Sequence, residues 1–544
     1  MVTSKLILFV TLGGVGPWKE VAMAASQTSV LVVGGGPVGL TLSALLSRYG
    51  VDHMLVETRR TTSSHPKARG ISARSMEIFR RIGLEEQVRG AGLPAEQVYF
   101  YRGRDLVDPE FVRTGLARQP DNDDSGEHTP SPGLICSQDV LEPVLLRHAV
   151  ELAGPRVRFG TRLVSFTDDG QGVLAVVEDT AIGSRRQVRA DWLVGCDGAT
   201  STLRNEAGIA MEGPTGLGRY LSIRYEAPLG QVVADRASAS YFLTTPGRGG
   251  FMAVDNDRHW IYQYPLTPDA PELDPSDHGH LAGLIRTATG IPDLDVTVRD
   301  TMTWRMDAQL ANAYRRSRVL LAGDAAHTIP PTGGHGMNTG IGDADNLAWK
   351  LAAVTTGYAG DALLDSYEAE RRPIARQVIG ISTANAQSRA GYRIDDELLL
   401  TATYQSTAVI PDPDSAPKQT GLSPDGYRPG CHPGQRAPHV RLTGGDVGAT
   451  STLDLVGPGF TLLTATDNPA WRRRAETVQQ TGIPLVFQAV STVGSREATG
   501  LWERLVGTGG APGAVLVRPD GHVAWRGTDP EVDLQAVLQR ILTS

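Results

Sequence analysis

An α/β fold in three units is what this 544-residue sequence predicts: a unit built on a parallel sheet, an antiparallel sheet inserted into it, and a smaller α/β unit at the C-terminal end. Three observations predict it. Residues 28–33, TSVLVV, form an apolar run that enters a glycine-rich turn and then the pattern LTLSALLSRYG, the order strand, turn, helix. Between 210 and 303 the runs YLSIRYEA, ASYFLT, GFMAVDN and HWIYQYPL alternate and are bounded by Gly, Pro, Asn and Asp, the signature of antiparallel strands. From about residue 435, FTLLTA, PLVFQAV and GAVLVRPDGHVAWR are interleaved with helical stretches, which makes a further α/β unit.

The first turn carries Gly34, Gly36 and Gly39 in G-x-G-x-x-G spacing. Two glycines permit the tight turn and close approach to a pyrophosphate, and the third lets helix meet strand. A second strand, VDHMLVE, ends at Glu57, where a carboxylate can take ribose hydroxyls. A strand before, a helix after and an acid at this distance make the turn a dinucleotide site, without separating NAD from FAD.

Arg69 and Arg74 precede a helical pattern of Met76, Ile78, Phe79 and Ile82; they can reach the pyrophosphate or lie solvated at the surface. Residues 103–133, rich in Asp, Pro, Gly and Ser, read as a surface excursion. Gln138 and Asp139 open the helix of ICSQDVLEPVLLRHAVEL. A small antiparallel sheet over 157–188 leads to the strand Trp192, Leu193, Val194, then an Asp197-Gly198 turn and a short helix from Ser201 to Arg204. In the inserted sheet, period two puts Trp260, Tyr262 and Tyr264 on one face. That face can wall a pocket for a planar substrate or pack on a helix. With Arg224 in YLSIRYEA, these three are the substrate candidates.

The stretch 318–351, RVLLAGDAAHTIPPTGGHGMNTGIGDADNLAWKL, organises the rest. Val319 to Ala322 form a buried strand that stops at Gly323-Asp324 and so places a carboxylate at the carboxyl end of a strand, where open α/β sheets bind ligands. Pro330, Pro331, Gly333, Gly334 and Gly336 follow, a stiffened loop whose backbone can approach a flat ligand. Ile341, Ala344, Leu347, Ala348 and Leu351 then mark a helix whose N-terminus offers free N–H groups to whatever lies above the glycines.

Net charge of −8 and the lack of a long basic run exclude an electrostatic footprint for nucleic acid. Cys136, Cys196 and Cys431 are far apart, without a C-x-x-C pair, so neither disulfides nor a dithiol centre is indicated, and a reducing, cytoplasmic setting fits. Cys431, His432 and His439 lack a second ligand group of zinc-like spacing, and no metal is expected. The opening MVTSK, LILFVTLGGVG and AMAA imitate a signal peptide. With Met23 just ahead of the first strand, they read as an upstream extension, too short to span a membrane.

GDAAH, PPTGGHGMN and DADNLAWKL resemble the second FAD motif of class A flavoprotein monooxygenases, the para-hydroxybenzoate hydroxylase-like family. DGATSTLR, the R-S-x-E context of Arg74 and the string Y-E-x-E-R-R-P are similar to that family, and GQRAPH, DLVGPGFTLL and LVRPDGHVAWR resemble the thioredoxin-like C-terminal domain of hydroxylases that act on aromatic polyketides. The resemblance implies an N-terminal extension (1–27), an FAD-binding domain (28–209 and 304–409), a substrate sheet (210–303), a linker (410–434) and a thioredoxin-like domain (435–544). It implies FAD as cofactor and NADPH or NADH as donor. It also implies dioxygen and a phenolic polycyclic substrate as partners, with oxygen added at C4a of the reduced flavin and delivered from the hydroperoxide.

Gly34, Gly36, Gly39 and Glu57 are then expected to hold the ADP half of FAD, and Arg74, Gln138 and Asp197 to contact the cofactor. Asp324 takes the ribityl chain, the backbone of Gly336, Met337 and Asn338 the pyrimidine edge, and Pro331 lies over the ring. Arg204 is a weaker candidate at the entry side. Without paired cysteines the last domain cannot shuttle electrons, so its role is structural or dimer-stabilising. Alternatives are a Baeyer–Villiger or antibiotic-modifying enzyme and, outside enzymes, a flavin-binding sensor or scaffold; a halogenase is disfavoured because no W-x-W-x-I-P segment occurs.

Overall fold

Four strand ends lie side by side in this chain, and they carry the motifs. In a computed structural model, which describes residues 26–94, 97–115, 128–267, 273–388, 395–413, 419–443, 448–507 and 512–543, the strand Ser26–Val33 sits inside a parallel sheet. Arg185–Gly195 and then Val319–Leu321 flank it on one side, His53–Glu57 and Val157–Phe159 on the other. Register aligns Val33 with Gly195 and Val56, and Gly195 with Leu321. The glycine turn, Glu57, Asp197 and Asp324 therefore all leave the carboxyl edge of one sheet, the edge at which open α/β sheets bind ligands. The extension 1–25 lies outside the described residues.

Two helices cover this edge. Pro37–Arg48 follows the glycine turn, and Gly336–Thr355, buried along nearly its whole length, packs on it. Small residues make the approach possible. A Cβ on Gly340 would stand 2.6 Å from Val38 Cγ2 and 3.0 Å from Gly323 Cα, and one on Gly323 would stand 2.9 Å from Val38 Cγ2. Val38 thus plugs the junction of the two glycine motifs.

The inserted sheet has seven strands in the order Thr297–Met306, Gly218–Glu226, His259–Pro265, Gly250–Ala253, Ser240–Leu243, Tyr99–Gly103, Val112–Gly115. All neighbours are antiparallel except Ser240–Leu243 with Tyr99–Gly103. The reading of 103–133 as surface excursion is corrected for its first part: Val112–Gly115 is the edge strand, and Phe111 stacks on the buried Tyr101 with ring centroids 5.2 Å apart. Residues 116–127 lie outside the described residues. Loop-like composition concealed a short strand because edge strands tolerate polar residues.

The C-terminal unit pairs Phe460–Thr464 in parallel with Leu485–Ala489 through the helix Pro469–Gln479, then adds the hairpin Ala514–Val517 and Val523–Gly527 and the helix Leu534–Thr543. This is the thioredoxin-like order of elements. Its core is continuous with the first unit: Trp349, Ala353 and Leu363 belong to one apolar cluster with Phe460, Leu462, Trp471 and Leu516. Among the described residues no helix is long and apolar enough to cross a membrane.

Because the Gly340 site has no room for even one methyl group, Gly340→Ala is expected to push the two helices apart and lower stability by about 1–3 kcal/mol. The urea-unfolding midpoint checks this; an unchanged midpoint would mean that Val38 does not set the helix spacing.

Candidate active site

The three glycines of the first turn divide by role. Gly34 has φ +112°, and a Cβ there would meet Cys196 O at 2.2 Å; a Cβ on Gly39 would meet Gly34 O at 2.0 Å. Both are needed by the fold itself. Gly36 differs: nothing lies within 4 Å of where its Cβ would point, and it caps the helix without a side-chain hydrogen bond. An open cradle at an uncapped helix N-terminus is a site for a diphosphate.

Glu57 is buried and accepts from Gly35 N at 2.6 Å and from Arg59 N and Nε at 2.9 Å each. Burial opposes its charge, but these hydrogen bonds hold its carboxyl below the ordinary range. Asp197 accepts from Leu203 N at 3.2 Å through Oδ2, while its buried Oδ1 has no partner among the described residues. Gln138 donates to Glu142 Oε1 at 2.6 Å, and Glu142 in turn accepts from Ser63 N at 2.6 Å. Arg204 is buried and ties the two bends together, Nη2 to Ala199 O and Nη1 to Ala325 O, each at 3.0 Å.

Asp324 is exposed, and the protein packed around its carboxyl raises its pKa against the opposing fields of His327 and Lys67. Its side chain nonetheless remains accessible from the cleft and accepts no hydrogen bond from the described residues. An unpaired acceptor in such a place suits a hydroxyl-bearing ligand. Below it, Asp343 is fully buried and accepts from Gly323 N at 3.1 Å, His327 Nε2 at 2.7 Å and Arg371 Nε at 2.8 Å. Asn338 does not use its side chain on a ligand. Its Oδ1 accepts from Ser72 N at 2.9 Å and Ser75 Oγ at 2.8 Å, and its Nδ2 donates to Gly70 O at 2.9 Å and Gly334 O at 2.7 Å. The glycine loop is held from below, so the backbone of Gly336, Met337 and Asn338 heads the helix without a side-chain cap. Pro331 is exposed at the loop's tip.

Several expectations are corrected. Arg74 is taken up by protein groups: it donates to Glu77 Oε2 at 3.1 Å, Asp345 Oδ2 at 3.0 Å and the Asp520 carbonyl at 2.5 Å. Arg69 binds the inserted sheet instead, at Ala253 O (2.6 Å) and Ala239 O (2.7 Å). Trp260 and Tyr262 face the helix His278–Thr289 and are core; Tyr262 stacks on Phe251 at 4.7 Å. Tyr264 packs against the same cluster. The period of two was right, but the FAD-side face is the alternate one.

On that face Arg224 donates to Ser64 O at 2.5 Å and lies 3.8 Å from Asp139. Beside it runs a hydrogen-bonded line that sequence reasoning missed. Trp304 Nε1 donates to Gln263 Oε1 (3.1 Å), Gln263 Nε2 donates to Ser222 Oγ (2.9 Å), Ser222 Oγ meets His65 Nε2 (2.8 Å), and His65 Nδ1 meets Asp300 Oδ2 (3.3 Å). An indole N–H can only donate, so it fixes the Gln263 amide as donor to Ser222; the Asp300 carboxylate can only accept, so it calls for the proton on Nδ1 of His65, and in that neutral tautomer Nε2 accepts from the Ser222 hydroxyl. Burial lowers the pKa of His65, against Asp300, consistent with that neutral tautomer. Tyr220 stacks on Trp304 at 4.6 Å, and both are only half-buried. For Tyr220 and Gln263 the signal lay in the opposite parity of the predicted strands, and for His65 in the HPKARG segment; Trp304 lies one residue past the expected sheet (210–303), in the strand Thr297–Met306.

The arrangement defines a flavoprotein of the two-motif dinucleotide class whose second domain offers a polar and aromatic wall. Family comparison gives the particular family. Residues 27–382 match the FAD binding domain and 431–544 the C-terminal domain of aromatic-ring hydroxylases, and the chain belongs to this family of FAD-dependent aromatic hydroxylases. It is 38% identical to the tetracenomycin B2 monooxygenase-dioxygenase of Streptomyces olivaceus, over 95% of this chain and 99% of that protein. It is 36% identical to the aklavinone 12-hydroxylase of Streptomyces purpurascens, over 95% and 99%. The structure of aklavinone-11 hydroxylase with FAD and aklavinone superposes with a TM-score of 0.82 at 34% identity, covering 96% of this chain and 100% of that one.

The glycine roles yield a prediction. Gly36→Val leaves the fold and the melting temperature of the FAD-free protein unchanged but abolishes FAD retention, whereas Gly34→Ala lowers both; FAD content per chain and thermal melting check it. A second prediction concerns pH. Burial lowers the pKa of His335, at the head of the flavin-loop helix, to about 4 from 6.5. The unfolded chain therefore binds the extra proton first, so stability present above about pH 6.5 is lost as pH falls toward 4. His335→Gln should flatten that part of the stability–pH curve; an unaltered slope would contradict it.

Proposed function

We propose that this protein hydroxylates a phenolic polycyclic aromatic of the polyketide type, consuming dioxygen and NADPH or NADH. The observation that carries the reading is the convergence of the glycine turn and the Asp324 bend on one cleft, with the Tyr220, Trp304 and Gln263 face of the inserted sheet beyond it. Glu57 and the Gly36 cradle would bind the ADP half, Asp324 the ribityl hydroxyls, and the amides of Gly336, Met337 and Asn338 the pyrimidine edge. The Asp324, Asn338 and Gly36 geometry fits FAD because each offers either an unpaired acceptor, free N–H groups or vacant space where that group needs it. When bound and reduced, the flavin supplies the oxygen-transfer chemistry at its C4a position.

The chain's own residues do the rest. The helix N-terminus at Gly336 favours negative charge developing at the pyrimidine edge. Tyr220 and Trp304 present a stacked aromatic surface to a planar ring system. Gln263, its orientation fixed on one side by Trp304 and on the other by Ser222 and His65, retains one N–H and one lone pair. That donor and acceptor pair matches a substrate carrying a hydroxyl beside a carbonyl. The loop holding Ser64, His65 and Lys67 joins this wall to Asp324, since Lys67 acts electrostatically on both His65 and Asp324.

With FAD-loaded protein, a hydroxyanthraquinone and isotopically labelled dioxygen, NADPH or NADH oxidation is expected to rise on adding the aromatic, and the product to gain one labelled oxygen on the ring. Pyridine-nucleotide oxidation indifferent to the aromatic, or label entering as a ring ester, would overturn the reading. Gln263→Leu removes a half-buried hydrogen-bond partner, a loss of about 1–3 kcal/mol. It should raise KM for the hydroxyanthraquinone correspondingly while leaving FAD content unchanged.

A further inference from the structure

The C-terminal domain has no cysteine pair, yet its hairpin turn, residues 518–522, is driven into the helices that carry the flavin loop. Arg518 and Asp520 are fully buried there. Arg518 makes a bidentate pair with Glu370 of the helix Asp365–Gln387, Nη1 to Oε1 at 2.6 Å and Nη2 to Oε2 at 2.9 Å. Glu370 also accepts from Lys350 Nζ at 2.8 Å. Asp520 accepts from Arg518, from Trp349 Nε1 at 3.2 Å and from Asn346 Nδ2 at 3.4 Å, the last two on the flavin-loop helix. The carbonyl of Asp520 takes Arg74, and that of Pro519 takes Arg81 at 2.7 Å; both arginines also hold Asp345 of the same helix.

Two routes lead from this turn to the flavin bends. His522 stacks on Tyr404 with centroids 4.2 Å apart, Tyr404 Oη accepts from Arg371 Nη1 at 2.8 Å, and Arg371 holds Asp343 beneath Gly323. On the other route, Asp520, His522, Arg74 and Asp345 line a cavity of about 10 Å³ together with Asn338, which anchors the glycine loop. Buried ion pairs contribute little net stability compared with apolar packing of the same volume. In some proteins such groups instead fix a single register, because a slip leaves a charge uncompensated.

We infer that the turn Arg518–His522 is a positioning element for the flavin: the C-terminal domain sets the register of the helix Gly336–Thr355 and so the placement of the N-terminal amides that would hold the pyrimidine edge. The inference rests on the FAD reading of the cleft, but its test is a difference between variants of the full-length protein, whereas that reading stands on whether the unaltered protein binds FAD at all.

Asp520→Asn keeps the shape of the side chain and removes its charge, and Trp349→Phe removes the indole donor to it. Both are expected to weaken FAD binding by about tenfold, within the usual range for coupling between sites, and to alter the visible absorption envelope of the bound flavin. Val490→Ala, in the other core cluster of the same domain, which holds no residue of the flavin-loop helix, serves as the comparison: it lowers the melting temperature while FAD affinity and spectrum stay as in the unaltered protein. If Asp520→Asn does not fold, Trp349→Phe decides. Native FAD affinity and spectrum in the folded turn variants would overturn the proposal, and so would an equal weakening by Val490→Ala at an equal loss of melting temperature.

Discussion

The buried carboxylate of Asp343 is the interaction on which the rest of the structure depends. Removing a charged carboxylate from water is costly, and here burial is offset by His327 and Arg371, which keep Asp343 below the ordinary carboxyl range. Three elements thereby become one: the Gly323 bend through its N–H, the strand His327–Thr328 through its imidazole, and the helix Asp365–Gln387 through Arg371. The bend cannot shift without stranding that charge. Asp324, the next residue, is therefore presented to the cleft by a rigid support.

From that support the site is assembled by close approach rather than by long side chains. Val38 enters the junction where Gly323 and Gly340 leave room for it, so the pyrophosphate turn and the ring-binding loop are set against each other by van der Waals contact. The inserted sheet is then docked on the same edge through the 64–69 loop, with Arg224 reaching Ser64, His65 reaching Ser222, and Arg69 reaching Ala239 and Ala253. The glycine turn, the Asp324 bend and the Tyr220, Gln263 and Trp304 face are consequently fixed by one continuous set of contacts.

Much of this was legible from residue order alone. Strand, glycine turn and helix are local patterns, and the three glycines carry their roles in their spacing; the aligned strand ends followed from the parallel topology. What stayed hidden depended on partners distant in the chain. Arg74 sits where a cofactor-facing arginine would sit, but a carbonyl from residue 520 claims it. Period two puts Trp260, Tyr262 and Tyr264 on a common face, yet alternation cannot say which face is core, and here theirs joins the cluster that holds Leu281 and Ile285 of His278–Thr289. Asp343 looked like one more polar position in DADNLAWKL, since nothing local announces that His327 and Arg371 converge on it. His65 and Gln263 were equally silent, being joined only through Ser222.

The central claim is that two pieces of chain nearly three hundred residues apart hold opposite ends of one FAD molecule. A crystal structure of the full-length protein with FAD tests it most directly. The adenosine ribose is expected at Glu57, the diphosphate in the Gly36 cradle, the ribityl chain at Asp324 and the ring edge at the amides of Gly336 to Asn338. FAD bound with its diphosphate away from the Gly36 turn, or with Asp324 out of reach of the ribityl hydroxyls, would contradict it.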